Sequence, residues 1–298
     1  MSTMILENQS AASSGGRRDF IYTTSDFTRV RKMIYTRAGI SLSESKQDMV
    51  YSRLARRLRA LDGERFSEYL DALDADPESP EWESFTNALT TNLTSFYREA
   101  HHFDILEMFL ARRKSGHSTL WCSAASTGEE PYSMAITAIE SFGTSTPPVS
   151  ILATDIDTQV LQTASRGVYP IERVESIGEA RLKKYFKRGR GENEGFVKVN
   201  DCLRSLISFR QLNLLDGRWP MKQPFDAIFC RNVMIYFDKP TQRDILSKMK
   251  PLMKPDGLLF CGHSESFHQA TDLFRGIGKS VYAPVVQGAV RALPGRAQ

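Results

Sequence analysis

The chain has 298 residues, 41% hydrophobic and 25% charged, an ordinary soluble composition with enough length for one large or two modest domains. Its formal net charge of +4 favours an acidic partner without requiring nucleic acid. Four Cys and five His, with no CxxC or CxxH pair, argue against a metal site or a disulfide framework, and no apolar run is long enough to span a bilayer. A cytoplasmic protein with structural thiols is the expectation.

Residues 1–19 are rich in Ser, Ala and Gly, lack an apolar core of signal-peptide length and read as a disordered leader. Residues 20–92 read as a helical domain, because no strand pattern interrupts four helical ones. Ser25 caps the first, which carries Phe27, Val30, Met33 and Ile34 on one face and stops at Gly39. Ser43 or Ser45 opens the second, with Val50, Leu54, Leu58 and Leu61 aligned. The third spans about Phe66 to Leu73, and the fourth runs from Ser79-Pro80 through Trp82, Phe85, Leu89 and Leu93. On the second helix Lys46, Arg53, Arg56, Arg57 and Arg59 lie away from the apolar face, and none has an acid four residues away. Unpaired positive charge pointing outward is the expectation, although most such runs are solvated faces.

From about residue 93 to 286 apolar runs alternate with helical segments, as in a doubly wound α/β sheet: Leu120–Cys122, Val149–Ala153, Ile207–Leu212, Phe225–Cys230 and Leu258–Cys261. The stretch between Gly167 and Leu206 is too long for a simple crossover. A small β insert at about 187–206, with a strand at Phe196–Val199, is predicted there, and residues 287–298 form a tail.

Three segments carry candidate chemistry. The run from Thr119 through Ser123-Ala124-Ala125-Ser126-Thr127-Gly128 to Glu129-Glu130-Pro131 reads as a strand, a small-residue turn and a helix start, where a ligand can approach the backbone. Two acids in the first helical turn repel a pyrophosphate and suit S-adenosylmethionine, which has an ammonium, a sulfonium and no phosphate; plain helix capping is the alternative. Asp155 ends the next strand, where an acid commonly takes a ribose hydroxyl pair, with helix capping by Asp155 or Asp157 as the competing account. The strand at Phe225 meets polar Arg231-Asn232 and then Val233-Met234-Ile235-Tyr236-Phe237, at an end that borders the same cleft.

The segments Asn87–Glu99, Ala125–Ser133, Ala153–Asp157 and Arg231–Phe237, in order and at matching spacing, closely resemble the bacterial chemotaxis receptor glutamate O-methyltransferases, the CheR family, over about Phe27 to Tyr282. The resemblance implies a class I S-adenosylmethionine-dependent methyltransferase fold with an N-terminal all-helical domain and an inserted β-subdomain. It implies a monomer that uses S-adenosyl-L-methionine, releases S-adenosyl-L-homocysteine and esterifies glutamates on the cytoplasmic helical bundle of chemoreceptors. Asn92, Thr94 and Arg98 would then hold the methionine end, Glu129 its amino group, Asp155 the ribose, and Asn213 and Leu214 the adenine, while Arg231 and Asn232 close the site. Arg98 and Tyr236 would stand nearest the reacting methyl. Arg53, Arg56, Arg57 and Arg59 would dock the receptor, and the insert around Gly189 to Val199 would bind a receptor C-terminal peptide by strand addition. A glutamate, with a pKa of about 4.3, is already ionised at neutral pH, so this chemistry needs alignment and desolvation rather than a general base. The absence of a Pro-Pro-aromatic segment after Asn232 weighs against a nucleobase or amine methyltransferase. The acids at 129 and 130 weigh against an NAD oxidoreductase, and a non-catalytic cofactor-binding scaffold is the reading of a different class.

Overall fold

The computed structural model describes residues 19–286 apart from Lys114 and Gln223, so the 287–298 tail and all but the last residue of the expected leader lie outside the described residues. The N-terminal helices are α1 (Thr24–Ala38), α2 (Gln47–Ala60), α3 (Phe66–Ala75) and α4 (Glu81–Leu89). Thr23, rather than Ser25, caps α1, because Asp26 lies three residues on and reciprocates: its carboxylate accepts from the Thr23 amide while the Thr23 hydroxyl accepts from the Asp26 amide. Neither Ser43 nor Ser45 caps α2; their hydroxyls bond each other at 2.8 Å, and the 3-10 turn Glu44–Lys46 leads into the helix. Helix α4 stops at Leu89, where Thr90 turns extended and its hydroxyl bonds Asn87 O and Asp157. Leu93, expected on this helix, lies beyond it and is 80% exposed. Phe27, Val30, Ile34, Leu54, Leu58, Phe66 and Phe85 pack the helices into one core.

The rest of the chain builds a seven-stranded sheet and a three-stranded one. In the larger, β1 (Ser118–Cys122), β2 (Val149–Asp155), β6 (Ile207–Gln211), β7 (Phe225–Phe229) and β8 (Met253–Phe260) run parallel, while β10 (Val281–Pro284) pairs antiparallel with both β8 and β9 (Phe274–Gly278). The order β6-β2-β1-β7-β8-β10-β9 reverses direction of winding at β1, and in such sheets ligands bind outside the strand C-termini at that switch. Helices α5 (His101–Ala111) and α6 (Glu129–Phe142) flank β1 in sequence, α7 (Thr158–Arg166) follows β2, and α8 (Lys239–Met249) precedes β8. No sequence signal marked β9 and β10, and β8 begins five residues before the expected Leu258, through Lys254-Pro255-Asp256-Gly257. The reason for the early start is local: the ladder shifts register between Phe225 and Ala227, and buried Asp226 binds Lys254 Nζ at 2.8 and 2.9 Å and the Thr119 amide at 2.8 Å.

The smaller sheet is antiparallel, in the order β3 (Val168–Pro170), β5 (Phe196–Val199), β4 (Phe186–Arg188). Its first strand begins at residue 168, ahead of the expected 187–206 insert; three residues ending in Pro carry no strand signal of their own. Among the described residues no helix is long and apolar enough to cross a membrane.

Candidate active site in the cleft beneath the helical domain

A cavity of about 360 Å³ lies at the C-terminal ends of β1, β2, β6 and β7, roofed by Ile40, Leu42 and Met49 of the helical region. Hydrogen bonds fasten this roof. The Ser41 amide donates to Tyr236 O at 2.9 Å, the Tyr35 hydroxyl donates to Asp238 Oδ2 at 2.6 Å, and Asn87 Nδ2 donates to Thr158 Oγ1 at 3.1 Å.

The turn after β1 is held from both sides. Ser126, at φ 47°, donates its amide to Asp155 Oδ2 at 2.8 Å and its hydroxyl to Asn92 O at 2.9 Å. Gly128, at φ 101°, precedes α6; a Cβ there would stand 2.7 Å from the Tyr169 hydroxyl and 2.8 Å from Ala164, so the position admits only glycine. Tyr169 itself donates to Thr127 O at 2.7 Å, which ties the smaller sheet to the turn.

Consecutive helical residues point about 100° apart, so Glu129 and Glu130 cannot face one space. Glu130 lines the cavity, whereas Glu129 does not and is fully buried, accepting from the Thr127 hydroxyl at 2.7 Å and ion-paired to Arg173. Arg173, from the turn after β3, occupies the carboxylate that the resemblance assigns to the cofactor's amino group.

Asp155 ends β2, lines the cavity and is buried, and burial pushes its carboxyl up to about 6 against the bonds from the Asp157 and Ser126 amides. Each of its oxygens keeps a lone pair for a further donor. Asp157 is the true cap of α7, taking the amides of Gln159 and Val160 on one oxygen and Thr90 Oγ1 and Asn92 Nδ2, each at 2.8 Å, on the other. The Asn92 and Thr94 segment is thereby anchored to the sheet. Thr94 lines the cavity, as does Arg98, whose Nη1 donates to Leu93 O at 3.0 Å.

Asn213 and Leu214 line the cavity too, but the Asn213 side chain is spent elsewhere: Nδ2 donates to Arg37 O at 2.8 Å and Oδ1 accepts from the Leu215 amide at 3.0 Å. The Asn213 amide group is thereby held by the helical domain and by its own turn.

Arg231 is buried in the floor. Its Nη1 lies 2.6 Å from Glu130 Oε2, its Nη2 donates to Arg98 O and lies 3.4 Å from Glu99 Oε2. Asn232 stands at φ 57°, held there by Glu265, whose carboxylate accepts from the amides of Asn232, Met234 and Gly262 at 2.9, 2.8 and 2.6 Å. Burial raises the Glu265 carboxyl above its usual range. Tyr236 follows in the 3-10 turn Met234–Tyr236; it lines the cavity, and its hydroxyl has no partner among the described residues. Glu130, Asp157, Arg173 and Glu265 were not singled out from sequence as site residues. The sequence named Glu130 only beside Glu129 as an acid of the first helical turn and Asp157 only as a helix cap, and nothing local marks Arg173 or Glu265.

The basic face of α2 is not the row of free charges expected. Arg57 forms a bidentate pair with Glu81 of α4 at 2.6 and 3.0 Å, supported by the Tyr69 hydroxyl at 2.9 Å. Arg59 pairs with Asp19, and Arg53 turns inward onto the carbonyls of Ala88 and Thr90. Arg56 alone of the four is exposed without an ion pair among the described residues, and Lys46 is exposed at the cavity mouth. The partners come from other helices, beyond any test of spacing within one helix.

Residues 92–283 match the family model described as CheR methyltransferase, SAM binding domain, and residues 25–90 match the CheR methyltransferase, all-alpha domain. The chain is 52% identical over 271 residues to chemotaxis protein methyltransferase 2 of Pseudomonas aeruginosa, covering 90% of this chain and 96% of that one. It is 51% identical over 257 residues to the chemotaxis protein methyltransferase of Salmonella typhimurium (86% and 89% covered) and 50% identical over 257 residues to that of Escherichia coli (86% and 90% covered). Matches of this extent across both regions, over a cavity at the switch point of a class I sheet, make the chain a member of the CheR family and an S-adenosylmethionine-dependent methyltransferase.

Proposed function

We propose that this enzyme transfers the methyl group of S-adenosylmethionine to glutamate side chains of chemoreceptors, forming 5-O-methyl esters. The observation that carries this reading is the cavity's lining: no histidine faces it among the described residues, Glu130 is committed to Arg231, and Asp155 to backbone amides. Such a site has no free base for an amine but suits a carboxylate that arrives ionised.

The residues present fit the cofactor. Asp155 offers remaining lone pairs to a ribose diol, Arg98 offers a fork of donors to a carboxylate, and the backbone at Asn213 and Leu214 offers an edge to adenine. Thr94 and Asn92 shape the methionine end, and Arg231 and Asn232 form the floor. Glu129 would reach the ammonium by exchanging Arg173 for it. When bound, the cofactor supplies an electrophilic methyl on a sulfonium. Tyr236 orients the incoming carboxylate with its hydroxyl, the positive charge of Arg98 favours its approach, and the roof residues Ile40, Leu42 and Met49 exclude water. The helical region at 20–92 docks the receptor's helical bundle through Lys46 and Arg56, with Arg53, Arg57 and Arg59 holding that helix in place. The open edges of the smaller sheet, β3 and β4, suit a receptor C-terminal peptide added as a strand.

Incubating the enzyme with methyl-labelled cofactor and receptor-containing membranes tests the reading. Label on receptor that mild alkali releases as methanol is the expected result. Alkali-stable label, or label on no receptor, would overturn glutamate esterification.

A further inference from the structure

We propose that Glu99, His101 and His102 form a binding site for a divalent transition cation of the zinc class. These three side chains stand side by side at the start of α5, behind the Arg231 floor, with one ligating atom from each lying within 4.8 Å of the others. The strongest sign is the state of His102. Its side chain is fully buried, and its Nε2 stands 2.8 Å from Lys279 O. A carbonyl only accepts, so the proton of the neutral ring resides on Nε2 and Nδ1 carries a bare lone pair. That Nδ1 has no hydrogen-bond partner, and it lies 3.6 Å from Glu99 Oε2, which has none either.

Two electron pairs therefore face each other in a buried place. Arg231 Nη2 pairs with Glu99 Oε2 at 3.4 Å, and Nδ1 takes no hydrogen bond from it. A cation answers both lone pairs at once. In a tetrahedral zinc site with bonds of about 2.0–2.2 Å, ligand atoms lie about 3.4 Å apart, close to the 3.6 Å seen here. The Nε2–H bond to Lys279 O is also the outer support that ligating imidazoles use to fix ring and tautomer.

Two imidazoles and one carboxylate select a zinc-class ion over magnesium or calcium, which favour all-oxygen shells. His101 is half-buried, so solvent reaches the site from its side. Exposed His263 has its Nδ1 3.7 Å from the other Glu99 oxygen. Sequence spacing hides the site because the ligands are at i, i+2 and i+3, and Glu99 at φ 55° makes the turn that gathers them.

The test uses the full chain, stripped of metal and titrated with Zn²⁺ by calorimetry and with Co²⁺ by visible absorption, beside His101→Ala, His102→Gln and, as a control elsewhere on the surface, His117→Ala. The expected result is one equivalent bound by the wild type and by His117→Ala, with the tetrahedral cobalt absorption, and at least about tenfold weaker binding in His101→Ala, since even outer-shell losses cost 10–100-fold. His101 is half-buried, so that variant keeps the test valid where His102→Gln fails to fold. Absence of stoichiometric binding, or wild-type affinity in folded His101→Ala, would overturn the site.

Discussion

Two arginine-rich regions of this enzyme carry the same ion-pair chemistry at different depths. Beneath the cavity the Arg231 side chain is 0% exposed, between Glu130 at 11% and Glu99 at 13%. On α2, Arg57 is 27% exposed opposite Glu81, and Arg59 is 53% exposed opposite Asp19. A buried charge cannot do without its partner, so the first cluster fixes backbone: it ties the turn after β7 to α6 and to the Arg98 segment. A surface pair is worth about 0–1 kcal/mol, so the second adds little to stability.

Removing a partner from each region is the sharpest way to break that contrast. Glu130→Ala orphans Arg231 and is expected to cost about 3–5 kcal/mol of unfolding free energy, read from urea denaturation. A loss below about 1 kcal/mol would show that Glu99 and the Arg98 carbonyl suffice, and would place the two regions on one footing.

Asp155 probes the buried region's ligand face. Asp155→Ala is expected to weaken S-adenosylhomocysteine binding by about 1.5–3 kcal/mol, and calorimetry showing unchanged affinity in a folded variant would remove Asp155 from the site. Its carboxyl is raised to about 6, so the folded protein prefers the protonated form. Above that pH the buried carboxylate costs stability, and the cost is relieved as pH falls through about 6 toward its unfolded value. Ligand hydroxyls bind the ionised form, so affinity should fall as pH drops through about 6, a limb that Asp155→Asn should lack.

Tyr236→Phe is expected to slow methyl transfer by roughly tenfold to a few hundredfold, about 1.4–3 kcal/mol, with little change in cofactor affinity. A positioning hydroxyl leaves the acid limb of the rate to the substrate glutamate, and single-turnover rates across mildly acidic pH would show it. An unchanged rate demotes Tyr236 to packing.

The smallest effects belong to α2. Arg57→Ala should lose up to about 1 kcal/mol of stability. Arg56→Ala should leave stability alone, weaken receptor methylation and blunt its dependence on salt, because exposed charge is screened over roughly 10 Å. Identical behaviour of the two variants would erase the distinction between paired and free arginines on this helix.

Much was legible in the sequence because it rests on local rules. Apolar spacing in Phe27–Ile34 and Val50–Leu58 places the helices, and continuous runs such as Val149–Ala153 place buried parallel strands. Asp155 at a strand end and the Ser123–Gly128 turn located the cleft, since strand C-termini and helix N-termini meet ligands wherever such sheets occur.

What only the tertiary structure decided is where each charge goes. Choosing Glu130 over Glu129 for the cavity, giving Arg173 to Glu129, and turning Asn213 onto Arg37 O all depend on residues 44 to 176 positions away. Glu81 beside Arg57, 24 positions away, and β3 beside β5 are likewise set by the fold. Hydrophobic period is set by neighbours along the chain, so it survives in sequence. The pairing of a buried charge is set by whichever long side chain the fold brings within about 3 Å, and one sequence alone does not record that.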